Sequence, residues 1–175
     1  FAAADIADPA NVAFSTLHAA AELFDDYEWT IGAVTVWEVR AQHMVEYIVN
    51  ELEPETVGFL SNQSQKYAND LIQDKIEALD DEIETVYYEL YTEGTTDFSP
   101  YLTKIKYEDP DVLVVSGANV HYINIAKQIA ALGGIGDVQV FSAYEAALNN
   151  DVLVSSGSDG WYSIVVAYEG QESFD

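Results

Sequence analysis

Cysteine is absent from this 175-residue sequence. That removes disulfides, thiolate zinc sites and cysteine nucleophiles. Basic residues are nearly as scarce: six in all, with Arg40 the one arginine, against 31 acidic residues and a net charge of −25. Nucleic-acid binding depends on lysine and arginine neutralising phosphates, so it is excluded as a function. An anionic membrane surface would likewise repel such a chain. No run of about 18 apolar residues occurs, so no membrane span is expected. Catalytic fingerprints are missing too: there is no P-loop, no G-x-G-x-x-G, no G-x-S-x-G and no H-E-x-x-H. His18, His43 and His121 lack zinc-ligand spacing, and no D-x-D-x-D-G calcium loop is present.

What remains is an ordinary apolar content, 49% hydrophobic and 13% aromatic, enough for the core of one domain. Disorder requires low hydrophobicity as well as charge, so the acid belongs on a folded surface. Self-repulsion at that charge destabilises a compact state at low salt. Molar salt screens it, because the Debye length falls to about 3 Å at 1 M. The composition therefore predicts a halophile-like protein. The acid pairs Asp25-Asp26 and Asp80-Asp81 read as solvated surface, and Tyr87, Tyr88 and Tyr91 as packing in a strand.

From residue 38 onward helices and strands alternate. Residues 38–52 carry Val39, Met44, Val45, Ile48, Val49 and Leu52 at helical spacing, and a short apolar strand follows at about 56–61. Residues 65–80 predict a helix with Leu71, Ile72, Ile76 and Leu79 on one face, then a strand at 84–91. Ser99 and Pro100 look like an N-cap and first helical position, with Asp97 a competing cap. Asp109-Pro110-Asp111 stops that helix, and VLVVSG is a buried strand. A helix over 119–132 ends at Gly133-Gly134, a strand is expected at 137–145, a short helix at EAALNN and a last strand at 161–170. Such alternation predicts an α/β fold: a doubly wound, mostly parallel sheet with helices on both faces. Residues 1–34 read as two short strands around a helix or turn, and the opening FAAADIADPA reads as the middle of a larger protein.

In open α/β sheets ligands bind beyond the carboxyl ends of the strands. Three loops are nominated: Ser61 to Gln63, Ser116 to Asn119, and Ser142 to Glu145. Helices start just beyond them, so backbone N–H groups there would favour a carboxylate.

The stretch TTDFSPYLTKIKYEDPDVLVVSG, residues 95–117, resembles the type I periplasmic solute-binding proteins of ABC transporters, in particular the branched-chain amino-acid-binding group. NIAKQIAALGG, SDGWYSI and AAAELFDDYEWTIGAVTVWEVRAQHMVEYI are similar to further segments of that family, in order, over nearly the whole chain. The resemblance implies a periplasmic-binding-protein-like I fold with two lobes closing on a small ligand. Residues 1–34 would be a remnant of the first lobe and the crossover, 35–165 the second lobe, and 166–175 a hinge strand.

It further implies a ligand site built from Ser15, His18, Ala19, Trp37, Tyr67, Ala118, Asn119, Tyr144 and Glu145. Ala19 stands where the family often has a hydroxyl, Ala68 where it has glycine after the aromatic, and Trp37 where a small polar residue is common. The implied function is binding without catalysis or cofactor: an extracytoplasmic protein, lipid-anchored in full length, that carries an amino acid or related metabolite to a membrane permease. A ligand-sensing domain of a receptor or regulator is the alternative. Exposed interlobe surface is a candidate homodimer contact.

Overall fold

A computed structural model describes residues 2–16, 26–32, 36–143 and 157–164. The chain divides into two compact units, Phe1–His43 and Met44–Asp175.

In the first unit a single helical turn, α1 (Ala4–Ala7), runs into a 3-10 turn at Asp8–Ala10 with Pro9 at its start. Asn11 ends it in the left-handed region at φ 52°, a conformation that asparagine tolerates better than most residues. Strand β1 (Phe14–Thr16) pairs in parallel with β2 (Thr30–Gly32), and Asp8 Oδ1 accepts the Trp29 N–H at 2.8 Å. Helix α2 (Trp37–Tyr47) leads into a wider, π-type turn at Ile48–Leu52.

The second unit is a five-stranded parallel sheet. Its strands are β3 (Thr56–Asn62), β4 (Glu84–Tyr91), β5 (Val112–Ser116), β6 (Gln139–Ser142) and β7 (Tyr162–Ser163), ordered β4-β3-β5-β6-β7. The connecting helices are α3 (Lys66–Leu79), α4 (Ser99–Glu108) and α5 (Asn119–Ala131). Every residue of β5 is buried, and so are Val57 to Asn62 of β3, as a sheet covered on both faces requires. The core gathers Leu60, Tyr91, Phe98, Leu102, Leu113 and Tyr122.

Three local expectations shift. The buried stripe of α3 is Ala68, Ile72 and Ile76, while Leu71 is half-buried and Leu79 is 48% exposed. Residues 68, 72 and 76 share a line at i, i+4 spacing, whereas Leu79 is the last helical residue and lies beyond the covered stripe. The N-cap position of α4 is Phe98, not Ser99; Asp97 supplies the cap instead, its Oδ1 accepting the Ser99 N–H at 3.0 Å. Strand β6 is shorter than 137–145, because it starts only where Gln139 N–H reaches Asp111 O at 2.8 Å. The expected helix over EAALNN lies outside the described residues.

One side chain sets the entry to β3. The Asp111 carboxylate accepts the Glu55 N–H, the Thr56 N–H and the Thr56 hydroxyl, each at 2.9 Å, and Thr56 Oγ1 accepts the Asp111 N–H at 3.0 Å. Burial pushes this carboxyl up, but the hydrogen bonds from Thr56 and Glu55 outweigh it and hold it below the usual aspartate range. The stabilisation is thus present above the unfolded-state value and is lost as pH falls through the lower, folded one. Asp111→Ala is expected to cost about 2 kcal/mol in urea unfolding near neutral pH. The difference from the native protein should shrink in acid. An equal loss at all pH values would show that the carboxylate charge is not what holds the strand.

Candidate functional site

Strand order β4-β3-β5-β6-β7 makes β3 and β5 neighbours whose outgoing chains leave in opposite directions, one toward β4 and the other toward β6. Such a switch point opens a crevice at the carboxyl ends of the two strands. The register places Ser61 beside Ser116, Asn62 beside Tyr91 and Val115 beside Ser142, so the loops after four strands reach one edge. Of the seven buried polar residues among the described residues, six, Ser61, Asn62, Asn69, Ser116, His121 and Ser142, belong to these strand ends or to the helices that follow them.

Hydrogen bonds account for most of that buried polarity. Asn62 Oδ1 accepts the Ser64 N–H at 2.9 Å and its hydroxyl at 2.7 Å, while Asn62 Nδ2 donates to Glu93 Oε2 at 2.9 Å. The Ser116 hydroxyl donates to Asn69 Oδ1, and the Tyr91 hydroxyl to Ser116 O at 2.8 Å. Burial pushes the Tyr91 phenol far above the ordinary tyrosine range, so it remains a donor. The Gly117 N–H donates to Tyr122 Oη at 3.1 Å. The Ala118 N–H donates to His121 Nδ1 at 3.1 Å, and His121 Nε2 lies 3.0 Å from Glu93 O.

Above this layer the edge is open. Tyr67, in the first turn of α3, is 51% exposed, and Val120, in the first turn of α5, is 55% exposed. Ala118 is exposed and Asn119 half-buried. The first N–H groups of a helix have no partner within it. Those of Asn119 and Val120 have none among the described residues. Two donors and an exposed aromatic ring thus stand at the switch point, an arrangement suited to an anionic or carbonyl group beside an apolar body.

Of the residues nominated from the sequence, Tyr67, Ala118 and Asn119 lie in the segments that follow the neighbouring strand ends of β3 and β5. Ser15 lies exposed in β1 and Trp37 opens α2, with the Arg40 guanidinium 5.4 Å from its ring centre; both belong to the first unit. His18, Ala19, Tyr144 and Glu145 lie outside the described residues. Sequence reasoning missed Glu93 and undervalued His121 and Asn62. The only local signal was a side chain able to accept a hydrogen bond three residues after Ala118, the position that closes a helix N-terminus. A shallow groove of about 570 Å³ beside the edge strand β4, lined by Glu89, Asp97, Tyr101 and Lys104 among others, shares no residue with the three nominated loops.

A family model described as periplasmic binding protein matches residues 1–171. The chain belongs to that family. Its fold is the periplasmic-binding-protein-like I fold, with a mostly parallel sheet flanked by helices. Solved structures agree in fold at low identity. An amino acid ABC transporter substrate-binding protein from Pseudomonas fluorescens is 23% identical, with a TM-score of 0.73 over 93% of this chain and 44% of that one. The branched-chain amino acid transporter substrate-binding protein LivJ from Streptococcus pneumoniae, in complex with isoleucine, is 22% identical, with a TM-score of 0.69 over 90% and 44%. An ABC transporter solute-binding protein from R. palustris, in complex with 4-hydroxybenzoate, is 16% identical, with a TM-score of 0.71 over 91% and 44%. The chain therefore spans less than half the length of these structures. No curated protein matches it.

Proposed function

We propose that this chain forms most of one lobe of an extracytoplasmic substrate-binding component of an ABC transporter, which delivers a small carboxylate-bearing metabolite, an amino acid first among them, to a membrane permease. The observation that carries the reading is the switch-point edge, where Tyr67 is exposed and the Asn119 and Val120 N–H groups await an acceptor. The ligand's carboxylate would take those donors and its side chain would lie against Tyr67. Isoleucine and 4-hydroxybenzoate, bound by two proteins of this fold, share a carboxylate and an apolar body. Ser15, His18, Ala19, Trp37, Tyr144 and Glu145 are further candidates for the same ligand by their resemblance to the family's ligand-binding positions. Binding would act by favouring a closed arrangement of two lobes, with no bond made or broken.

The test is a thermal-shift panel of amino acids and small aromatic carboxylates on the full two-lobed protein in molar KCl. A ligand that binds only the native state raises the melting temperature by mass action. A shift with one carboxylate class is expected, together with about a tenfold weaker Kd in Tyr67→Ala, the scale of one aromatic contact. A folded protein that shifts with no member of the panel would overturn the reading.

A further inference from the structure

The His121 ring is 2% exposed, and both of its nitrogens are engaged. Glu93 O can only accept, so Nε2 carries the hydrogen; Nδ1 therefore keeps its lone pair and accepts the Ala118 N–H. Adding a second proton would set an N–H against an N–H. The ring stands at the third position of α5, where a glutamate or glutamine ordinarily reaches back to the N-cap N–H. Those residues accept in either state of charge at neutral pH; a histidine accepts only while neutral. Glu93 ties this contact to the neighbouring loop, since its carboxylate accepts from Asn62 while its carbonyl accepts from His121.

We propose that His121 is a positioning residue for the ligand edge: in its neutral Nε2–H form it holds Ala118 and Asn119 in place through the Ala118 N–H and anchors them to Glu93, and protonation releases that hold. The inference rests on the reading of this edge as the ligand site. Acid should therefore weaken ligand binding through this contact, although the ring itself touches no ligand. The groups that face the ring are the Tyr91 phenol, with ring centres 5.1 Å apart, the Phe98 ring at 6.3 Å, and Glu93. Tyr91 stays protonated throughout, because burial raises it. Glu93 is separated by the Glu93→Gln variant, which keeps an acceptor for Asn62.

Titration calorimetry with leucine, isoleucine and 4-hydroxybenzoate between about pH 8 and pH 5 gives the readout. The native protein and Glu93→Gln should lose about fivefold to tenfold in affinity toward acid, the scale of one buried hydrogen bond. In His121→Gln the part of the acid loss that comes from this contact should vanish, because glutamine accepts the Ala118 N–H without titrating. Superimposable profiles for the native protein and His121→Gln would overturn the proposal. Should none of the three compounds bind, it is the ligand reading that fails, and the hold is read without ligand from imidazole nitrogen shifts and Ala118 amide protection. The Nε2–H tautomer is expected at the neutral end. Acid should remove Ala118 protection, corrected for intrinsic exchange, in the native protein but not in His121→Gln; equal protection in both would again overturn it.

Discussion

Gly117→Ala should destabilise the protein by about 3 kcal/mol, a large effect for one added methyl group. Gly117 is buried directly after β5, where the chain turns toward α5. A Cβ there would lie 2.1 Å from Tyr91 Oη and 3.1 Å from both Cβ and Nδ1 of His121. Tyr91 cannot swing aside: it is fully buried, its hydroxyl is committed to Ser116 O, and the Phe98 ring packs edge-on with centres 5.0 Å apart. Relief must then come from the backbone of the loop that carries Ala118 and Asn119, so ligand affinity should fall with stability. Urea unfolding with an unchanged m-value is the measurement. The diagnostic partner is Tyr91→Phe, which removes the clashing oxygen. In the double variant the two losses should be strongly non-additive, with much of the Gly117→Ala cost recovered. Simple additivity would show that the clash is not the cause.

Phe98→Ala should cost about 3–5 kcal/mol. Phe98 is fully buried at the start of α4, with its ring against Tyr91, Tyr101 and His121. It joins the loop after β4 to the helix after β5, and its N–H donates to Gln128 Oε1 at 2.6 Å while Gln128 Nε2 donates to Thr96 O at 2.8 Å. Removing the ring opens a cavity beneath the His121 contact, whereas Phe98→Leu, close in volume, should cost less than about 1.5 kcal/mol. A loss under about 1 kcal/mol for Phe98→Ala would mean that the loop collapses to fill the space, and that the ring does not support the edge.

The strand expected at 84–91 is β4 to the residue, and the helix expected at 119–132 is α5 within one. Periodicity and turn chemistry are local, and both segments carry strong local signals: β-branched and aromatic residues in the first, and in the second an apolar stripe closed by Gly133 and Gly134 at φ +70° and +95°. Ser99 failed as a cap because the helix already begins at Ser99 with Phe98 at the N-cap position, so the Ser99 N–H is itself one of the first unpaired helical donors and is taken by Asp97 Oδ1. Leu79 failed as core because a helical face shows which residues share a side, not how far the sheet beneath them extends.

Local sequence alone carries the alternation of helices and strands, the parallel sheet and the three loops at its carboxyl edge. Each follows from hydrophobic period, breakers and the rule that a covered sheet binds at its strand ends. Folding adds that β3 lies between β4 and β5, that Glu93 joins Asn62 to His121, and that Gly117 has no room for a side chain. Those are contacts between residues 26 to 55 positions apart, the approach of His121 to Gly117 excepted. No local pattern encodes them, because they exist only once the whole sheet has brought its ends together.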